Sequence, residues 1–358
     1  MRHVLVVSIA LTLALAGCSK SEPAPALDVK KATPEAATRA PVPSEVPDDP
    51  NLNRIDVTSV SEGSKVTLRS GTKVFEGATP ATLWVPDGDY VLRVEDEGDV
   101  WETFVEGVAS DRKLEVPVGG SPSLIVGERK VAVGKDLLFV PIDAEDGLDF
   151  RPLAAKAEAT GKEPPFLANR NGTAIDSIVV HATTTAGAAK EAFDNDAKEA
   201  LSCHFYIERN GLVYQALDLA ALAIHAGEAN SRSICVAFVH PLPNLLDDGV
   251  APQSTGDMNA DYAPAREYTV NGAPVKTFGL TPAQEEAWDK LVLTLLRAYP
   301  DLVGRFPNKD GAVILGARPD SLPGIIAHLH IAEDRWDIPS LDFDRLKRLL
   351  VAANRWRP

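Results

Sequence analysis

The residues best equipped for chemistry are the histidines, and they are unevenly placed. Of seven, His3 lies at the extreme amino terminus, while His181, His204, His225, His240, His328 and His330 all follow residue 180. Imidazole is the commonest metal ligand and the side chain that titrates nearest neutrality, so this half of the chain is where metal or acid–base chemistry is expected. A lone histidine is more often a hydrogen-bonded structural residue, so local context must separate the two roles. His181 ends the β-branched run Ile178-Val179-Val180, the pattern of a buried strand that holds its last side chain rigidly enough for a metal.

The surrounding pattern supplies the elements that would position such a site. Ala186 to Leu201 has helical spacing, and Cys203 to Gln215 forms two short apolar runs around Asn210-Gly211, the signature of a β-hairpin. Ile224-His225-Ala226-Gly227 is a loop and Ser233 to Val239 a second buried strand. Thr281-Pro282-Ala283-Gln284 is a capping box with proline at the first helical position, opening a helix to about Ala298. Ile325-Ile326-Ala327-His328 leads into a loop through Asp337, and a last helix runs around Phe343 to Asn354. The fold class expected is α/β, a mixed central sheet flanked by helices. The stretch from His240 to Leu280 lacks clear periodicity and is expected to be a loop-like insertion.

This order of motifs, over about Thr173 to Leu350, resembles the zinc-dependent N-acetylmuramoyl-L-alanine amidases that share a fold with peptidoglycan recognition proteins. The carrying residues are Val179-Val180-His181, His204 to Gly211, His225-Ala226-Gly227 with Asn230 and Ser233, Leu280 to Gln284, and His328 with Asp337. The resemblance implies Zn²⁺ held by His181, His328 and Asp337, a three-ligand set that leaves a fourth position for water. It implies hydrolysis of the amide between the lactyl group of N-acetylmuramic acid and L-alanine of the stem peptide. His225 and Asn230 would line the substrate groove, and Arg335 would stabilise the oxyanion where lysine is common. His204 is expected to be structural, His330 a spare beside the metal loop, and His240 a surface residue.

Two positions depart from the family pattern. The strand Ile234-Cys235-Val236-Ala237-Phe238 carries Ala237 where a glutamate is usual, and Cys203 stands where some members carry tyrosine. General acid–base help is typically worth 10²–10⁴ in rate, so a replacement is needed for full activity, and Glu228 and His330 are the candidates. Without one, the alternative is a catalytically impaired peptidoglycan-binding protein on the same fold. If position 237 faces the site, strand alternation turns Cys235 the same way. Cys203 and Cys235 then meet at the site floor, as a disulfide or as thiols; two small buried hydrophobes is the plainer reading.

The remainder of the chain concerns delivery. Residues 51–119 alternate apolar and polar between turn residues and are expected to form a small all-β sandwich. Within them Gly77-Ala78-Thr79-Pro80 and Pro86 to Tyr90 resemble the PEGA family of bacterial surface domains. Residues 120–170 are a connecting segment, and 171–358 the amidase-like domain. Residues 18–50 are rich in Pro, Ala and charge and lack aromatics, so they are expected to be a disordered tether reaching on the order of 100 Å. Residues 1–17 have a basic start and a short apolar core, and Leu15-Ala16-Gly17-Cys18 resembles a lipobox. That implies a lipid anchor on Cys18 and a cell-envelope location, with Ser19 favouring the outer membrane facing the periplasm. Net charge is −15, which excludes a nucleic-acid footprint; the amidase and lipobox resemblances imply peptidoglycan and, through the anchor, a membrane as partners.

Overall fold

The computed structural model describes residues 49 and 51–357, apart from 60–61, 97–98, 117–121, 134–136, 171, 184–186, 242–243, 246–261, 303, 310–311 and 317–322. The signal, lipobox and most of the tether fall outside the described residues. Seven strands come first: β1 (Leu52–Ser59), β2 (Lys65–Ser70), β3 (Lys73–Ala78), β4 (Ala81–Pro86), β5 (Gly88–Asp96), β6 (Asp99–Val108) and β7 (Arg112–Val116). They form two sheets, β4-β1-β7 and β3-β2-β5-β6. Alternation sends Ile55, Val57, Val66, Leu68, Leu92, Val94 and Trp101 into the core between them.

Three short strands follow. β8 (Ser123–Val126) and β9 (Arg129–Ala132) form a hairpin, and β10 (Phe139–Val140) joins the edge of the main sheet. After α1 (Arg151–Ala159) and β11 (Phe166–Leu167) come β12 (Ser177–Ala182), α2 (Ala189–Lys198), β13 (Phe205–Ile207), β14 (Val213–Gln215), β15 (Leu222–Ala223) and β16 (Ser233–Phe238). β17 (Asn244–Leu245), β18 (Arg266–Val270) and β19 (Ala273–Thr277) make a small antiparallel sheet. The chain ends with α3 (Pro282–Ala298), the pair β20 (Asn308–Lys309) and β21 (Ala312–Val313), β22 (Gly324–Ala327) and α4 (Phe343–Ala352). The main sheet is six-stranded and mixed, β10-β14-β13-β16-β12-β22, with only the β13–β14 pair antiparallel.

One correction concerns residues 240–280. The described part is not a loop but a β-hairpin, turned at Asn271-Gly272 with both residues at positive φ. Tyr262 is buried beside it, its hydroxyl donating to the Val239 carbonyl at 2.7 Å. The Asn-Gly dipeptide between Val270 and Ala273 was the available signal.

The back of the main sheet is covered by α3. Ile178, Val180, Phe205, Ile207, Val236 and Ile325 face Trp288, Leu291 and Leu295 in one core, where each fully buried large side chain contributes roughly 1.5–3 kcal/mol. Helix α3 begins where the capping box sets it: Thr281 Oγ1 accepts the Gln284 N–H at 3.0 Å and Gln284 Oε1 accepts the Thr281 N–H at 3.2 Å. Gln284 Nε2 also donates to the Val239 carbonyl at 3.0 Å, tying the helix start to the end of β16.

The β sandwich packs on this body through charged pairs. Arg297 of α3 pairs with Glu102 of β6, and Arg345 of α4 bridges Glu106 of β6 (2.5 Å) and Asp289 of α3 (2.6 Å). Burial raises the Asp289 carboxyl to about 7, even though Arg345 pulls the other way. An acid raised on folding takes up a proton, so the stability it contributes is full below about pH 4 and is lost as pH rises through about 7. Asp289→Asn removes that dependence. The difference in unfolding free energy between wild type and variant, from urea titrations at pH 5 and 8.5, is expected to move in favour of the variant by up to about 3 kcal/mol. A difference that does not change with pH would refute the assignment.

Candidate functional site

His181 is delivered by β12. Ile178 and Val180 face α3, so Val179 and His181 face the opposite side of the sheet. β16 runs parallel alongside, with Cys235 opposite Val179 and Ala237 opposite His181, and β13 sets Tyr206 opposite Ala237. The front face therefore carries Tyr206, Cys235, Ala237 and His181 in neighbouring positions. On the other flank β22 ends at Ala327 and the chain turns at once through His328–His330. Asp337 returns on a loop and is followed by Ile338 at φ 61°. That backbone region costs a β-branched residue about 1–3 kcal/mol. Ile338 is fully buried in the main core, so its packing holds the conformation and, with it, the direction of the Asp337 carboxylate.

These elements bring His181, His328 and Asp337 together. Their ligand atoms all lie within 4.8 Å of one another. Asp337 Oδ2 is 3.7 Å from His181 Nδ1 and 3.5 Å from His328 Nδ1, and the two imidazole centroids are 4.5 Å apart. The hydrogen bonds behind His181 assign its tautomer. Ser233 Oγ donates to the Ala229 carbonyl at 2.7 Å, so it can only accept from His225 Nε2, 3.1 Å away. His225 Nδ1 is then an acceptor for the His181 Nε2 proton at 3.0 Å. His181 Nδ1 is left with its lone pair pointing at Asp337 and His328, as a metal ligand requires.

The electrostatics agree. Burial pushes the His181 imidazole well below its usual range, and the neighbouring His328 and His225 rings add to this. Burial does the same to His225. Burial alone would raise the Asp337 carboxyl, but the hydrogen bond to His328 and the charges of both histidines outweigh it and hold the carboxyl below its ordinary value. Two imidazoles beside a carboxylate are the donor set of a metal centre, and the group fits one. A second cluster, His181, His225 and Cys235, does not, because Cys235 is bound in a disulfide with Cys203 and has no thiolate to offer.

The site opens into a cavity of about 470 Å³. His225, Asn230 and Arg335 line it, as do Cys203, Cys235 and Ala237 on its floor. Asn230 Oδ1 accepts the His225 and Ala226 N–H groups at 3.0 and 2.6 Å, fixing the loop that carries His225. Three expectations need correction. Glu228 is exposed on the 3-10 turn and does not line the cavity. His330 is buried, accepting the Ala327 N–H at 2.9 Å and facing the Ile314 carbonyl at 2.8 Å, and burial lowers it to about 4; it does not face the site. His240 is fully buried rather than on the surface, wedged between the Pro241 and Phe278 carbonyls.

His204 is structural as expected: Nδ1 accepts the Cys235 N–H at 3.0 Å and Nε2 faces the Ala221 carbonyl at 3.2 Å. Two residues carry more than their sequence context suggested. Arg170 is buried and donates to the Leu219, Asn230 and Ser231 carbonyls, holding the groove loop from behind; burial lowers it to about 10. Asp196 of α2 lines the cavity and accepts the Tyr206 hydroxyl at 2.5 Å, and burial raises its carboxyl. Apart from Asp337 it is the one lining carboxylate among the described residues. An Asp within a run of Lys, Glu and Asp on a surface helix gives no sequence signal of this kind.

Comparison with known proteins agrees with this geometry. Residues 171–339 match the family described as N-acetylmuramoyl-L-alanine amidase. Similar solved structures include an endolysin N-acetylmuramoyl-L-alanine amidase, LysCS, from Clostridium intestinale URNW (16% identity, 52% of this chain and 89% of that one, TM-score 0.33). Another is AmiD from E. coli, in complex with anhydro-N-acetylmuramic acid-L-Ala-D-gamma-Glu-L-Lys (18%, 49% and 57%, TM-score 0.31). A third is PGRP-Hd from Alvinella pompejana (15%, 51% and 90%, TM-score 0.26). Likenesses this distant carry no weight for function. No curated protein matches the chain.

The disulfide gives the direct test of the site floor. It closes a sequence separation of 32 residues and by the loop-entropy account stabilises the fold by roughly 3–4 kcal/mol. Thiol titration of the denatured, unreduced protein should find no reactive sulfur at Cys203 or Cys235, and two after reduction. Two free thiols before reduction would rule the bond out.

Proposed function

We propose that residues 171–339 form a zinc hydrolase that cleaves the amide between N-acetylmuramic acid and L-alanine in peptidoglycan. The observation that carries this reading is the hydrogen-bond relay that bares His181 Nδ1 toward Asp337 and His328 inside a segment matching the amidase family. Zn²⁺ held by these three residues would polarise the amide carbonyl and acidify water. Asn230 Nδ2, which has no partner among the described residues, is placed to donate to a substrate carbonyl. Arg335, half exposed in the cavity lining, offers its guanidinium to the negative charge that develops on the carbonyl oxygen. With Ala237 opposite His181 and Glu228 outside the cavity, the group available to take a proton is Asp196.

A second reading is favoured by one observation: β16 presents Ala237 and a disulfide to the site, with no carboxylate. On that reading the chain binds muropeptides without turning them over. The zinc-loaded full chain, incubated with an N-acetylmuramoyl-L-alanyl peptide, is expected to release a peptide with a free L-alanine amino terminus, seen by mass spectrometry. His181→Ala should lose both stoichiometric zinc and product. Asp196→Asn should keep its zinc and lower kcat by about 10²–10⁴. Binding without product in the wild type would establish the second reading, and neither zinc nor binding would overturn both.

The resemblance of the leader to a lipobox supports a lipid anchor on Cys18 and a place at the outer membrane facing the periplasm. Fatty-acid labelling of the expressed protein that disappears in Cys18→Ala is the expected result; unchanged labelling would refute the anchor.

A further inference from the structure

The face of sheet β3-β2-β5-β6 that turns away from the sandwich core joins apolar residues, Val91 and Phe104, to a group of polar ones. Thr67 and Arg69 of β2 alternate onto it, with Val91 and Arg93 of β5 and Glu102 of β6. Register sets Thr67, Arg93 and Glu102 in one row across the three strands. Here that face is roofed by α3 and by the chain leaving α4, which add Arg297 and Arg355. Between sheet and roof lies a cavity of about 240 Å³, far from the metal group in sequence and sharing no lining residue with its cavity.

The charge in this cavity does not balance. Arg93 pairs with Glu95, and Arg297 with Glu102. Arg355 spends its guanidinium on two carbonyls, Pro300 at 2.6 Å and Leu296 at 3.0 Å, and has no carboxylate partner among the described residues. Arg69 has neither carboxylate nor carbonyl. Two guanidiniums, those of Arg69 and Arg355, therefore line a half-open cavity with no carboxylate partner among the described residues, in a chain whose net charge is −15. Burial and the charge of Arg93 both work against the Arg297 cation, which Glu102 only partly offsets. Like charges gathered around one cavity repel one another unless an anion neutralises them. Planar guanidinium forks match the oxygen spacing of a tetrahedral oxyanion, and the Thr67 hydroxyl supplies a further donor.

We propose that this cavity is a binding site for a small multiply charged oxyanion of the phosphate class, with Arg69 as its principal free ligand and Arg93, Arg297 and Arg355 around it. The bound ion joins sandwich and α3 by touching both.

Titration calorimetry of the full chain with inorganic phosphate, against sodium chloride at matched ionic strength, tests this. One phosphate should bind per chain, and the thermal midpoint should rise with phosphate concentration as ligand linkage requires. A parallel titration with glycerol phosphate distinguishes a site for the free ion from one for a phosphate ester: equal or tighter binding assigns the ester. Arg69→Gln, which breaks no hydrogen bond or ion pair among the described residues, should weaken phosphate at least tenfold, and Arg69→Lys should recover part of the loss. Arg93→Gln should weaken it as well. His181→Ala should leave it unchanged, so the result is independent of the metal reading. Heat no greater than the chloride control overturns the proposal. So does binding that survives Arg69→Gln but is lost in His181→Ala, which would put the ion at the metal group.

Discussion

Ser233 has a single hydroxyl proton, and the Ala229 carbonyl takes it. Everything at the candidate metal site follows from that. Because the serine can only accept from His225 Nε2, His225 must accept from His181, and the His181 lone pair has one direction left. The relay works because β12 and β16 run parallel in fixed register, with Ser177 opposite Ser233 at one end and His181 opposite Ala237 at the other. A slip of one residue would turn His181 into the core against α3 and bring Val180 to the site. The β-branched side chains of Ile178 and Val180, buried on the back face, make that slip expensive.

The front of the sheet is built differently from the back. Behind it, close-packed Leu, Ile and Trp side chains meet α3. In front, the floor of the cavity is small: Ala237 and the Cys203–Cys235 pair. The disulfide links the entrance of β13 to the middle of β16, crossing two strands that share only a short ladder. It stiffens the floor where side-chain bulk is missing, and it removes both thiols from competition for a soft metal. The same economy leaves Tyr206 free to reach past Ala237 to Asp196.

Much of this was legible in the sequence, and the reasons are local. Ile178-Val179-Val180-His181 and Thr281-Pro282-Ala283-Gln284 signal strand and cap through their own side chains, and the structure places them as those signals require. What could not be read depends on partners distant in the chain. His240, expected on the surface, is buried because Tyr262 packs on its ring and the Pro241 and Phe278 carbonyls take up its two nitrogens. Glu228 looked like a substitute base by proximity to His225, but a 3-10 turn points successive residues in different directions, and it faces out. Asp196 gave no sign at all, since its role exists only where α2 crosses the end of β13.

The span matched by the amidase family begins at residue 171, yet the outermost strand of its sheet, β10, comes from Phe139 and Val140. Gln215 on β14 likewise trades both ends of its amide with the backbone of Ile125. The matched span borrows its closing edge from the segment before it. Excised at the family boundary, it would carry a raw strand flank and an orphaned amide, the conditions under which sheets recruit strangers. The front modules of this chain are thus a form of insulation, without which the six-stranded sheet would be a template for aggregation.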